Sequence, residues 1–536
     1  MTAADLVIRD ALIHTMDPTR PSASAVAVRQ GRIVAVGDGE DVRPHVDRRT
    51  EVIDGTGLVV TPGLVDSHQH PLHGITTGQG ASAAGLTTPD GLGELLARVA
   101  GGLASDAWVI VNGVEYGALA GHDRPRAFID DAVAGRPAFL WFADCHNALM
   151  STRGLRLAGI TGPMRFGDRS EIVVDEDGVP TGLLHETSAV LHGYAAVPPP
   201  TTEDIARLAA DLFADQAARG ITGIHVPDHW PGTEAVLDAL EQQDRLPLRV
   251  LLAPWTFPDR VDDTLDAVRS LRTRDRARWR TGAVKFFLDG TIDGGSAWLG
   301  HPDCAGDGTR PMWTDVHRYR DAVRKVVDLG LPCFTHAIGD RAVTNALDTY
   351  QAVGRPARGR HRIEHAELLA DNDISRFAEL DVVASMQPTH QDWTLPDHTD
   401  NWSTRLGADR CGHGWRCADI VRAGGRVALG SDWPVAAYDP RVVMAGARLR
   451  RPVAEHDRAP VGADQALTAH QALAGYTAWA ARGAGEESIA GRVREGFQAD
   501  LTVFLGDPLA VPAEELPDLP VEFTVVAGRI AHRANP

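Results

Sequence analysis

Between residues 61 and 430, short Val/Ile/Leu-rich runs alternate with amphipathic stretches, and this alternation limits the fold more than any other feature. The runs are 63–70, 221–226, 248–253, 283–288, 331–336, 361–365, 382–387 and 427–430. Helical patterns fall between most of them, at 202–219, 232–243, 261–271, 315–329, 340–353, 373–379 and 418–423. Strands that are apolar on both faces belong to a parallel sheet covered by helices. Eight such units predict an α/β chain folded as a (β/α)8 barrel.

The flanks and one long interval do not fit that repeat. Residues 71–220 are far too many for a single connection. They carry a helix pattern near 91–100, strand patterns near 108–111 and 138–142, and a hairpin over 171–184 turning at Asp177-Gly178. The segment 76–204 is therefore expected as an inserted domain beside the barrel mouth, with Pro198-Pro199-Pro200 as its exit. Both chain ends are strand-rich: 5–13, 25–29, 32–36, 51–53 and 57–60 at one end, 500–504 and 521–526 at the other. Gln30-Gly31 suits a tight hairpin. Residues 1–60 and 495–536 are expected to pair into one small β-sandwich, leaving 61–75 and 205–494 for the barrel.

Barrel active sites form at the C-terminal ends of the strands. His68 and His70 stand two apart at the end of the first run, so both imidazoles can face one metal ion. Lys285 sits inside the apolar run Val284-Lys285-Phe286-Phe287, where an unpaired cation is costly. The fifth run ends at His336, the sixth at His365, and the eighth is followed by Asp432. Four histidines, a carboxylate and a buried lysine at strand ends predict a metal centre.

Composition removes some alternatives. Asp and Glu number 72 against 53 Lys and Arg, giving a net charge of −19. Nucleic acid and anionic membrane are therefore not expected as the main partner, since both require a basic surface. The five cysteines are odd in number and form no C-x-x-C pair. That argues against a disulfide framework and for a reducing cytoplasm. The polar opening Met1-Thr2-Ala3-Ala4-Asp5 is unlike a secretory leader, and no run approaches 18 apolar residues.

The segments PGLVDSHQH, AVKFFLDG, THAIGDRAV, RIEHAE, MQPTH, GSDWPV and GRVREGFQADLTVF resemble the amidohydrolase superfamily. Within it, the chain is most similar to the family-3 amidohydrolases, which include N-substituted formamide deformylases. The resemblance implies two divalent metal ions, usually zinc. His68, His70 and Asp432 would hold one and His336 and His365 the other, bridged by Lys285 as a carbamate. It further implies attack of a metal-bound hydroxide on a carbonyl carbon, with Asp432 moving the proton to the leaving nitrogen. A small-molecule substrate and a possible homodimer follow from the same likeness.

Secondary candidates surround this set. His146 and Glu186 in the insertion match family positions and are expected to bind substrate. Gln387 and His390 follow the seventh run and are candidate carbonyl or leaving-group contacts. Trp298 and Trp393 belong to a group of tryptophans that follow barrel strands, suggesting a pocket for an apolar or aromatic substituent. Arg362 and Glu364 read as an ion pair behind the site, and Asp340 as the N-cap of the helix that follows it. The expected reaction is C–N cleavage of a linear amide such as an N-formyl or N-acyl amine. The alternatives are a hydrolytic deaminase or a cyclic amide or lactone hydrolase on the same scaffold. A binding protein without activity is a further reading, disfavoured because all six ligand positions are filled.

Overall fold

The computed structural model describes residues 3–78, 80–119, 125–274 and 276–534. Met1 and Thr2, part of the segment weighed as a leader, lie outside them. Eight parallel strands form the central barrel: Leu64–Asp66, Ile221–Val226, Arg249–Leu252, Val284–Phe287, Cys333–Ala337, Arg362–His365, Val383–Met386 and Arg426–Leu429. Two seams close it. Trp279–Thr281 pairs with the third strand, and its continuation beyond Gly282 pairs with the fifth, so the fourth stave is one bent strand. Lys285 N and Thr256 N complete that seam with bonds of 2.9 Å to Pro254 O and Lys285 O.

The other seam carries the function. The first strand ends at Asp66, earlier than the run 63–70 suggested. Beyond it the backbone is shared between two neighbours. Ser67 N donates to Leu429 O (3.0 Å), Gln69 N to His225 O (3.1 Å) and His70 N to Trp433 O (2.7 Å). His68 and His70 therefore lie just past the regular ladder yet remain fixed by it. Gly430 is required here, because a Cβ at that position would lie 2.6 Å from His68 N.

Helices cover the outside. In Val316–Asp328, the residues Tyr319, Ala322, Val323 and Val326 form one buried stripe, and the Asp315 side chain caps His317 N. Tyr319 meets Phe286 edge-on at 5.6 Å, and the stripe belongs to one apolar cluster with Ile363, Ala384 and Val427. The helix Asp340–Val353 is capped by Gly339 rather than by Asp340. Asp340 Oδ1 instead accepts from Gly300 N (2.8 Å) and ties down the loop after the fourth strand. Three helices follow the eighth strand, Pro440–Leu449, Ala469–Tyr476 and Ala478–Gly483. Their short alanine-rich patterns escaped the sequence reading.

Strands from the two chain ends meet in one sheet, where Val59–Pro62 pairs antiparallel with Leu501–Phe504. A second sheet holds Leu6–Arg9, Ala25–Arg29, Arg32–Gly37 and Glu51–Asp54. Ile8, Val26, Val60, Val503 and Val525 from both sheets share one apolar cluster. The turn Gln30-Gly31 has φ 49° and 73°, the geometry of a two-residue hairpin. Six strands, from Ala81–Ser82 to Pro180–His185, form a separate sheet. Its antiparallel pair Ala138–Phe142 and Asn147–Met150 is joined by residues 143–146, which reach over the barrel mouth.

Candidate active site

Asp432 is the centre of the cluster at the strand ends. Its Oδ1 lies 3.4 Å from His68 Nε2 and 3.2 Å from His70 Nε2, and its Oδ2 lies 3.8 Å from His365 Nδ1. Left-handed backbone at Asp432 (φ 59°) and His365 (φ 71°) produces this convergence. Strand alternation would turn His365 away from the face that carries Arg362 and Glu364. The positive φ takes His365 out of that alternation and brings its ring within 4.5 Å of His336 and 4.8 Å of His68, centre to centre.

Three of the four imidazoles, those of His68, His70 and His336, are oriented by a second group. His68 Nδ1 donates to Glu364 Oε2 at 2.5 Å, and His70 Nδ1 donates to Asp228 Oδ2 at 2.6 Å. Both rings therefore turn Nε2 toward Asp432. His336 Nε2 donates to Gly290 O (3.1 Å), which leaves Nδ1 as its acceptor nitrogen. Glu364 is itself held by Arg362 through two 2.8 Å bonds, and Arg362 Nη2 also donates to Ser67 O at 2.6 Å. The Arg362–Glu364 pair is thus the support beneath His68 and not merely an ion pair behind the site. On the other side Asp66 accepts from His68 N (3.1 Å), Ser431 N (3.1 Å) and Ser431 Oγ (2.6 Å), locking the first strand to the loop that carries Asp432.

Burial sets the charge states. It pushes His68 down to about 4, with nearby Lys285 adding to the effect. It also takes His336 and His365 well below the ordinary histidine range. His70 moves the other way: burial opposes its charge, but hydrogen bonds to Asp228 and Asp432 raise it to about 9. Burial favours protonation of Asp432, yet His68, His70 and His365 hold it well below the usual carboxylate range. Lys285, 1% exposed, is pushed down to about 8 by burial.

These donors suit a divalent cation. Ligand atoms of His68, His365 and Asp432 lie within 4.8 Å of one another. His68 Nε2 and His365 Nδ1 are buried without a hydrogen-bond partner, as is His390 Nε2. Neutral imidazoles whose far nitrogens donate to carboxylates or carbonyls are the state in which histidine binds metal. His70 and Lys285 line the same cavity as this trio, and so does His336. All six expected metal-binding positions are therefore gathered at one mouth, although the tightest trio joins residues expected on different ions.

The secondary candidates divide. His146 lines the cavity, with its ring 5.1 Å from that of His336, and its Nδ1 is paired with Glu186 Oε2 at 2.9 Å. That pairing overcomes burial and raises His146 to about 9. Glu186 stands behind His146 and not on the cavity wall. His390 Nε2 lies 3.7 Å from Asp432 Oδ2, with the His390 ring stacked on His365. Gln387 is buried beneath it, outside the cavity wall. Trp298 and Trp393 are also off that wall. Trp298 is packed in the barrel core with its backbone N bound to Asp289, and Trp393 is 51% exposed. The aromatic wall consists instead of Trp141, Trp230 and Trp255, with His73 stacked on Trp230 at 4.7 Å. Proximity to a strand end in sequence does not place either one on the wall, because Trp298 is drawn into the core beside Asp289 and Trp393 is turned toward solvent. Asp228, the partner of His70, was missed although it stands two residues past the second strand.

A model of the amidohydrolase family matches residues 51–532 of the chain. Among curated proteins, the chain is 28% identical to the putative amidohydrolase YtcJ of Bacillus subtilis, with 98% of each chain covered. It is also 28% identical to the N-substituted formamide deformylase of Arthrobacter pascens, over 98% of this chain and 97% of the relative. Among solved structures, it resembles an uncharacterized metal-dependent hydrolase from Pyrococcus horikoshii at a TM-score of 0.74 and 23% identity. That likeness covers 95% of this chain and 99% of the other.

Proposed function

The chain belongs to the amidohydrolase family; from that premise we propose that it is a metal-dependent hydrolase that cleaves the C–N bond of a linear amide bearing an apolar or aromatic N-substituent. His68, His70 and Asp432 would hold one zinc ion, and His336 and His365 a second. Lys285 would bridge them as a carbamate, a reaction that needs its neutral amine, which burial favours. When bound, such ions polarise a carbonyl oxygen and supply a nucleophile from water at neutral pH.

The residues of the chain do the rest. Asp432 accepts the proton of the attacking water and returns it to the leaving nitrogen. It is ionised and so has a lone pair for that proton, and its low proton affinity favours passing the proton on to the leaving nitrogen. His70, held by Asp228, keeps one face of the Asp432 carboxylate fixed. His146, cationic through Glu186, stands across the cavity where it can donate to the substrate carbonyl. Trp141, Trp230, Trp255 and Leu191 surround the N-substituent and exclude water from the mouth. In this reading residues 76–204 are an inserted domain that roofs the site. Residues 1–60 and 495–536 form a β-sandwich that braces the barrel from outside.

The observation that carries the reading is the Asp432 carboxylate with the acceptor nitrogens of His68 and His365 turned toward it. The formamide end of the substrate range is suggested by the Arthrobacter relative. The test is a turnover screen of the zinc-loaded protein against N-alkyl and N-arylmethyl formamides, N-acyl amines, cyclic amides and lactones. Linear amides with arylmethyl substituents are expected to turn over best. Preference for ring substrates, or turnover that survives His68→Ala, would overturn the assignment.

A further inference from the structure

From Arg272 to Arg280 every second residue is arginine: Arg272, Arg274, Arg276, Arg278 and Arg280. The hydrolytic site uses none of them. All five line a second cavity of about 540 Å³ at the opposite end of the barrel, where the first four strands begin. Arg249, at the start of the third strand, and Arg358, in the loop before the sixth, complete the wall. Asp500 and Glu486 are the carboxylates on that wall among the described residues. Seven guanidinium groups against two carboxylates is a steep local reversal in a chain whose net charge is −19.

Part of this charge is structural. Arg249 is bound to Asp500 (2.6 Å), Arg276 to Asp238 (2.9 Å) and Arg280 to Glu486 (2.9 Å). Arg274 reaches Asp238 at 3.5 Å, and Arg272 donates to Leu329 O at 3.0 Å. Two arginines are left over. Arg278 Nη1 is buried without a hydrogen-bond partner, and no ion pair among the described residues reaches Arg358. A buried guanidinium N–H without an acceptor is costly, and crowding cations around it raises the cost. An anionic ligand would supply both the acceptor and the countercharge.

We infer that this cavity binds a small multivalent anion of the phosphate class, gripped by Arg278 and Arg358 and surrounded by the other arginines. Its volume lies within the range of small-molecule sites. Planar guanidinium forks match phosphoryl oxygens two at a time, which favours phosphoryl groups over simple halides. The inner wall of the cavity includes His225, whose Nδ1 is paired with Arg362 Nη1 at 2.9 Å. A ligand there would sit at the opposite end of the barrel from the hydrolytic site, apart from substrate.

The test is calorimetric titration of the zinc-loaded protein with inorganic phosphate, pyrophosphate and a short single-stranded oligonucleotide, each in a sodium chloride background of matched ionic strength. Pyrophosphate is expected to bind at one saturable site, more tightly than phosphate, and to weaken as salt rises. The double variant R278Q/R358Q is expected to lose at least tenfold in affinity. R358Q alone, at an exposed side chain without an ion pair, gives a smaller loss with no threat to folding. Binding unchanged in both variants would place the anion elsewhere and overturn the inference. Absence of saturable binding, or tighter binding of the oligonucleotide than of pyrophosphate, would also overturn it.

Discussion

At the C-terminal end of the barrel strands, charged groups are buried and answer one another; at the N-terminal end they line a broad cavity and are mostly of one sign. At the mouth, Arg362, Glu364, His68 and Asp432 form one continuous run of contacts. The backbone is also strained there: Cys145, Glu186, His365 and Asp432 all have positive φ. Among the described residues lining the base, only glycines do. Non-glycine residues in that region cost about 1 kcal/mol or more each, and they persist where surrounding structure fixes them. The difference teaches where pre-organisation lies. The mouth holds its donors in place through buried carboxylates and strained turns, whereas the base holds excess charge on relaxed backbone.

The largest break in that contrast should come from Asp432→Asn. It keeps the shape of the residue but removes the proton acceptor, so kcat/KM should fall by about 10²–10⁴ with folding little changed. Circular dichroism and steady-state kinetics on the same preparation check both parts. A fall below tenfold would show that Asp432 is not the proton carrier. Glu364→Gln should act mainly on stability. It leaves Arg362, fully buried, without its charged partner, and breaking a buried pair costs about 3–5 kcal/mol. It also loosens His68, so zinc affinity should drop roughly 10–100-fold, read by competition with a chelator. Arg249→Gln at the base removes a pair whose side chains are 24% and 13% exposed and should cost less, about 1.5–3 kcal/mol. If Arg249→Gln proved as damaging as Glu364→Gln, the contrast between the two ends would fail.

The same contrast explains what the sequence could convey. His68, His70, Lys285, His336, His365 and Asp432 were readable because strand periodicity and placement at strand ends are local properties. The partners of those residues were harder. Asp228 lies 158 residues from His70, and nothing in either segment announces the contact. Trp298 and Trp393 failed for a related reason: a loop's direction depends on what it packs against, and Asp289 pulls the Trp298 backbone inward. His365 shows the limit of periodicity itself, since its place in the cluster depends on a single positive φ. The five alternating arginines were fully visible as a pattern, but their meaning depended on a cavity formed by four strands and the C-terminal segment.

The smallest effect is also the most discriminating between metal chemistry and ordinary burial, because it concerns a histidine remote from the donors. His361 immediately precedes the sixth strand, is stacked on Tyr350 at 4.1 Å, and has its Nε2 on Gly354 O at 3.2 Å. Burial pushes it down to about 4 from an ordinary value of 6.5. Above pH 6.5 both folded and unfolded chains carry it neutral, so its stability contribution is complete. As pH falls from 6.5 toward 4, only the unfolded chain gains the proton, and stability is lost across that window. At pH 5.5, one unit into the window, the loss is about 1 kcal/mol, using 1.36 kcal/mol per unit. His361→Gln should therefore show a flatter decline in melting temperature between pH 7 and 5.5 than the parent, whether or not zinc is bound. A parent decline that vanished on adding zinc would assign the acid sensitivity to the mouth histidines instead, where metal and proton compete for the same nitrogens.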